Sequence, residues 1–146
     1  MAIKLGIIGC AGRMGRRIAT LAHEDQDFSI TCAIERPDHP AQGVDLGELL
    51  GLGKLDVPIS SKWSAKPDVL INFTTARATI DSLAAARKDA LPMVIGTTGL
   101  SPEQLATVKD ASKDIAVLQA ANMSLAVNLL FRLVGQVAAV LGDDYD

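Results

Sequence analysis

The chain holds 146 residues with a formal charge of −3, from 14 basic and 17 acidic side chains, so its surface as a whole does not attract nucleic acid or acidic membranes. A chain of this length buries roughly 68–70% of its unfolded surface, enough for one domain with its own core, and 49% hydrophobic against 3% aromatic residues suits aliphatic strands between helices rather than an all-β sandwich. Cys10 and Cys32 are the only cysteines, which indicates neither a disulfide framework nor a zinc site and makes a reduced, cytoplasmic setting the default.

Short β-branched runs alternate with helix-period segments along the whole length. The first apolar run carries one lysine and is too short for a signal-peptide core or a membrane span. Strands are expected at about 3–8, 28–34, 57–60, 68–73, 93–96 and 115–120, and helices at about 13–25, 76–89, 102–112 and 124–141. Such alternation predicts an α/β fold with a doubly wound, mainly parallel sheet and helices on both faces. Gly43, Gly47, Gly51 and Gly53 make the connection after the second strand a loop with one or two helical turns at most. The last apolar segment, "VNLLFRLVGQVAAVL", contains Arg132 and Gln136 and reads as a buried helix rather than a span.

The first strand runs into Gly9, Gly12 and Gly15, giving G-x-x-G-x-x-G where the commoner dinucleotide signature is G-x-G-x-x-G, with Ala11 as the nearest substitute for the absent glycine. Gly9 permits the tight turn, Gly12 lets a pyrophosphate approach the backbone, and Gly15 lets the helix pack close to the strand. Arg13, Arg16 and Arg17 then place cations at a helix N-terminus, against the dipole. A polyanion over the loop accounts for Arg13; Arg16 and Arg17 are expected on a solvated outer face. Glu35 lies 20 residues after Gly15, at the end of the second strand, where an acid accepts hydrogen bonds from an adenosine ribose. Arg36 follows it and can pair with a 2′-phosphate, so NADH and NADPH are both candidate cofactors.

The later strand ends, "VLINFTTA", "MVIGTTGL" and "VLQAANMSLAVN", each pass from aliphatics into small polar residues, as in the lining of a crevice. Ser101 as N-cap and Pro102 at the first helical position explain the helix after GTTG but not the GTTG itself. Asn122 and Ser124 read as caps for the last helix. Cys10 stands at a helix N-terminus, which can lower a thiol pKa, yet it reads better as filling a small slot, and Cys32 as strand core. His23 and His39 lack sequence partners and read as surface residues, Trp63 packs its loop on the sheet, and Asp143, Asp144 and Asp146 form a solvated turn rather than a metal site. No metal-binding set is expected.

The segments "IIGCAGRMGR", "AIERP", "INFT", "MVIGTTGL" and "AANMSLAVN" resemble, in order and spacing, those of the dihydrodipicolinate reductase family of the diaminopimelate route to lysine. The resemblance runs from end to end and implies a Rossmann-type dinucleotide-binding domain over 1–146, its core ending near 125–130 and followed by a linking helix. By it, Gly9, Cys10, Ala11, Gly12, Arg13 and Met14 would wrap the pyrophosphate, Glu35 the ribose and Arg36 a 2′-phosphate. Phe73 from INFT joins the set; Gly96, Thr97 and Thr98, with Ala120, Ala121, Asn122 and Met123, would approach the nicotinamide half. Met123 replaces a frequent phenylalanine, and contacts there are partly through the backbone.

The family's catalytic segment, with paired histidines, a lysine and a Ser-Gly-Thr turn for the substrate's carboxylates, begins just beyond the equivalent of "GDDYD". No catalytic residue is therefore assigned within this chain, which is expected to be the cofactor-binding part of a two-domain reductase acting on a cyclic dicarboxylate, a homotetramer at full length. Alone it would bind cofactor without turnover. A non-catalytic nucleotide- or coenzyme A-binding module is the alternative, disfavoured by Glu35 facing a ribose phosphate. A short-chain dehydrogenase needs Tyr-x-x-x-Lys, and the only tyrosine is Tyr145, one residue from the end.

Overall fold

A computed structural model describes residues 1–142; the acidic cluster at Asp143, Asp144 and Asp146, and Tyr145, lie outside the described residues. The elements follow as β1 (Ile3–Ile8), α1 (Arg13–Glu24), β2 (Phe28–Ile34), α2 (Leu46–Leu50), β3 (Ile59–Ser60), β4 (Val69–Asn72), α3 (Ala76–Lys88), β5 (Met93–Ile95), α4 (Pro102–Ala111), β6 (Val117–Gln119) and α5 (Leu125–Leu141). The six strands form one parallel sheet in the order β3-β2-β1-β4-β5-β6. That is the Rossmann order, with the chain reversing its direction of winding between β1 and β4.

Consecutive strand residues face opposite sides, and each side carries its own core. Ile7, Ala33 and Ile59 join Ala19 of α1 and Leu46 of α2 on one face, whereas Ile8, Ile34, Leu70 and Ile95 join Leu83 of α3 and Val108 of α4 on the other. Cys10 and Cys32 are buried, one in each core. Trp63 packs half-buried against the α3 face and donates its indole N–H to Asp89 Oδ2 at 2.8 Å. His23 is exposed, and His39 Nδ1 accepts the Ala41 N–H at 3.1 Å within its own turn.

The glycine-rich connection is organised by Asp45. Its carboxylate accepts from Gly47 and Leu55 N–H at 2.9 Å each and from Val57 N–H at 2.8 Å. Those bonds, the one from Leu55 first, hold the Asp45 carboxyl below its ordinary pKa.

One expectation fails. The last helix is not buried: no residue of α5 is, and Leu130, Phe131 and Val134 are 56%, 64% and 57% exposed. Its apolar side chains lie nearly all round, and no layer of the described fold reaches them. Among the described residues no helix is long and apolar enough to cross a membrane.

Candidate functional site

Parallel open sheets bind ligands beyond the carboxyl ends of the strands, at the reversal of winding. In this structure a cavity of about 650 Å³ opens at that place, between the ends of β1, β2, β3 and β4 and the start of α3. Gly9, Gly12, Glu35, Arg36 and Phe73 line it together with Pro37, Ser61, Thr74, Thr75, Ala78, Asp81 and Ser82.

The turn into α1 is built on glycine for measurable reasons. Gly9 has φ +79, and a Cβ there would meet the Phe73 carbonyl oxygen at 2.9 Å. A Cβ on Gly15 would stand 2.1 Å from the Gly9 carbonyl oxygen and 2.8 Å from Cys10 Cα, so the first turn of α1 rests directly on the loop. Gly12 is the N-cap and offers no side-chain oxygen to the first-turn amides, and that turn contains no acid. The helix therefore presents N–H groups and its positive dipole end to the crevice.

Arg16 departs from expectation. Exposed, it is nonetheless no free solvated cation: Nε donates to the Ala11 carbonyl at 2.9 Å and a terminal nitrogen to the Leu49 carbonyl at 3.3 Å, strapping the glycine loop to α2. Two carbonyl acceptors offset the unfavourable position at the helix start. Arg13, the first residue of α1, and Met14 and Arg17 after it are exposed. Cys10 is fully buried, so only its backbone is available to a ligand, and burial with the nearby Glu35 charge pushes its thiol up to about 12. The helix N-terminus does not activate it.

Glu35 leans back over the loop, Oε2 accepting the Ala11 N–H at 3.2 Å and Oε1 the Arg36 N–H at 3.1 Å. Gln42, which no sequence pattern marks, donates Nε2 to the carbonyls of Glu35 (3.0 Å) and Arg36 (2.8 Å) and fixes that corner. Arg36 is exposed and pairs loosely with Asp38 at 3.5 Å.

The β5 and β6 ends stand beside the cavity rather than in its lining. Gly96 is required by Phe73, whose ring would lie 2.1 Å from a Cβ at that position. Thr97 is 3% exposed, so its side chain faces the interior, while Thr98 is exposed. Ala120 is half-buried and Ala121, Asn122 and Met123 are exposed. Ser124 caps α5 as the sequence suggests, accepting the Val127 N–H, while Asn122 Oδ1 accepts the Ser124 N–H at 2.8 Å, one step outside the helix, and does not cap it.

Comparison with known proteins assigns the architecture. The model of "Dihydrodipicolinate reductase, N-terminus" matches residues 3–123. The chain belongs to the dihydrodipicolinate reductase family. It is 39% identical over 153 aligned residues to the 4-hydroxy-tetrahydrodipicolinate reductase of Methanocaldococcus jannaschii, covering 99% of this chain and 56% of that protein. The Rubrobacter xylanophilus enzyme of the same name is 41% identical over 144 residues, with 54% of it covered. The chain thus spans about half the length of the curated relatives it matches. Among solved structures, a dipicolinate-bound dihydrodipicolinate reductase from Paenisporosarcina sp. TG-14 shares the fold, with a TM-score of 0.75 at 22% identity over 95% of this chain and 54% of that one. The same sheet recurs in an aspartate semialdehyde dehydrogenase with NADP from Candida albicans, with a TM-score of 0.57 at 14% identity over 84% of this chain and 43% of that one. Within the dihydrodipicolinate reductase family the matched portion is the N-terminal one.

Proposed function

We propose that this chain is the NADH- or NADPH-binding half of a 4-hydroxy-tetrahydrodipicolinate reductase. The observation that carries the reading is the crevice at the reversal of winding, where the glycine turn, the Glu35 carboxylate and Phe73 converge on one cavity. The residues present fit a dinucleotide: a capless helix start faces the cavity, and glycine stands where the loop backbone admits no Cβ. The backbone of residues 9–14 would hold the pyrophosphate, Glu35 the adenosine ribose, and Arg36, tied only to a solvated Asp38, a 2′-phosphate. Loops 96–98 and 120–123 would receive the nicotinamide half, which supplies the hydride when bound. The part of the relatives that lies outside this chain would bring the proton donor and the grip on the dicarboxylate, and would cover α5 as a linking helix.

Calorimetric titration of the chain with NADH and with NADPH tests the reading, coenzyme A serving as control. Binding of at least one pyridine nucleotide and none of coenzyme A is expected. A folded sample with affinity for neither nucleotide overturns it.

A further inference from the structure

Behind the cavity wall lies a set of polar side chains to whose buried ends the cofactor reading gives no role. Asn72 at the end of β4 and Thr79 inside α3 are 0% exposed, and Thr97 after β5 is 3% exposed. Asn72 Nδ2 has no partner among the described residues, whereas Asn72 Oδ1 and the threonine hydroxyls are hydrogen-bonded, as buried polar groups generally are, and these bonds cross between elements. Thr97 Oγ1 accepts the Thr74 backbone N–H at 3.1 Å and lies 2.8 Å from Thr79 Oγ1. Thr79 Oγ1 in turn lies 2.9 Å from the Thr75 carbonyl oxygen. Thr74 Oγ1 donates to Asn72 Oδ1 at 2.7 Å, and the other two hydroxyls stand 3.3 Å from the same oxygen.

Each hydroxyl has one proton, so where Thr79 donates to the Thr75 carbonyl the link to Thr97 is made by the Thr97 proton, and where Thr79 donates to Thr97 the Thr97 proton is left for Asn72 Oδ1. Both arrangements keep the run from Thr74 N–H through Thr97 Oγ1 to Thr79 Oγ1. The loop after β4 is thus held from behind by the loop after β5 and by α3. In front, the Phe73 ring lies against Gly96 without room for a methyl group. The two loops are fixed to each other at both surfaces, and Thr74 and Thr75 are themselves cavity lining.

We propose that Thr97 and Thr79 are positioning residues for cofactor binding: their buried hydroxyls set the β4–α3 loop against the β5–α4 loop and so fix the shape of the cavity wall. This rests on the reading of the crevice as a pyridine-nucleotide site. Neither Thr79 nor Thr97 belongs to the cavity lining.

The test uses the 146-residue chain with Thr97→Val and Thr79→Val, which keep shape and remove the hydroxyl, beside Thr97→Ser and Thr79→Ser, which keep the hydroxyl. Thr107→Val is the control, since that exposed hydroxyl bonds only within α4, to the Glu103 carbonyl at 3.0 Å. NADH affinity is measured by calorimetry well below each melting temperature, and exchange of the Thr74 amide by NMR. Both valine variants are expected to bind NADH on the order of tenfold more weakly, the scale of one lost buried hydrogen bond. Thr74 amide exchange should accelerate in both, and the serine variants and Thr107→Val should behave as the parent. Folded valine variants with parental NADH affinity overturn the positioning role. Weakened binding that serine does not restore also overturns it, because the hydroxyl is then not the cause. If Thr97→Val does not fold, Thr79→Val decides alone, since it breaks the same run. A parent chain that binds neither NADH nor NADPH overturns the cofactor reading and the positioning role with it, a parent that binds only NADPH moves the same titrations to NADPH, and parental affinity kept by the valine variants overturns the positioning role alone.

Discussion

Gly15→Ala tests the contact on which the glycine loop is built. Alanine is the better helix former by about 0.8–1.0 kcal/mol, so propensity alone predicts stabilisation. The contact predicts the opposite. A Cβ at 2.1 Å from the Gly9 carbonyl oxygen must gain more than an ångström to reach ordinary contact, and the atoms opposing it are backbone, not the end of a flexible side chain. Overpacking of this kind costs typically ~1–3 kcal/mol, which leaves a net destabilisation of up to about 2 kcal/mol after the propensity gain. For a domain of this size each kcal/mol lowers the melting temperature by ~2–4 °C, so a fall of up to about 8 °C is expected. The displaced loop also carries the amides that face the cavity; losing one charge-assisted hydrogen bond to a phosphate weakens NADH by on the order of tenfold or more. Differential scanning calorimetry and an NADH titration measure the two effects on one sample. A variant as stable as the parent, with equal affinity, would refute the argument that the helix start is pinned on the loop.

Arg36→Ala should weaken NADPH by about tenfold or more and NADH by less than about twofold, since only the former presents a phosphate to the guanidinium; equal loss for both, by calorimetry, removes Arg36 from cofactor discrimination. Asp45 has a depressed folded pKa, so its contribution is present above the ordinary value of 3.8 and is lost as the pH falls through the lower folded value. Asp45→Asn should therefore melt lower than the parent at pH near 7, with the gap closing below about pH 4; a gap independent of pH contradicts this. Cys10, at about 12 and fully buried, and Cys32, at 4% exposure, should be silent to a thiol reagent in the native chain and both react in urea. Rapid native labelling of Cys10 would mean that the loop opens far more readily than its packing implies.

Most of the sheet was legible because its signals are local. Alternation of aliphatic strands with capped helices places β1, β2, α1 and α3 to within a residue or two of their observed ends, and Ser101–Pro102 starts α4 where the structure does. Glycine spacing likewise found the crevice turn, since each glycine answers a contact made within a few residues or with the neighbouring strand end. What stayed hidden depends on separation in sequence. Asp45 reaches amides 10 and 12 residues ahead, Gln42 returns to close the Glu35–Arg36 corner, and Thr79 meets Thr97 across 18 residues. None of these can be seen before the strand order is known, because a threonine in a helix and a threonine after a strand look alike until β4 and β5 are adjacent. Arg16 misled for the same reason: its charge was readable, while its acceptor on α2 was not.

The Glu35 carboxylate joins these two kinds of information in one residue. Under the proposed reading its spacing from Gly15 makes it the ribose acid, and the fold shows the same carboxylate accepting the Ala11 N–H. A ribose hydroxyl donating to Glu35 would share an acceptor with the loop proposed to face the pyrophosphate, so on that proposal the two halves of the adenosine subsite would be coupled through one side chain. Substituting it should then disturb more than the ribose contact. Glu35→Gln retains an oxygen for one donor but not the charge that orients the loop amide, and it removes the carboxylate that helps keep the Cys10 thiol protonated. The coupling follows from the sheet: β1 and β2 are neighbours in parallel register, with Ile8 opposite Ile34, so the residues just beyond them must meet.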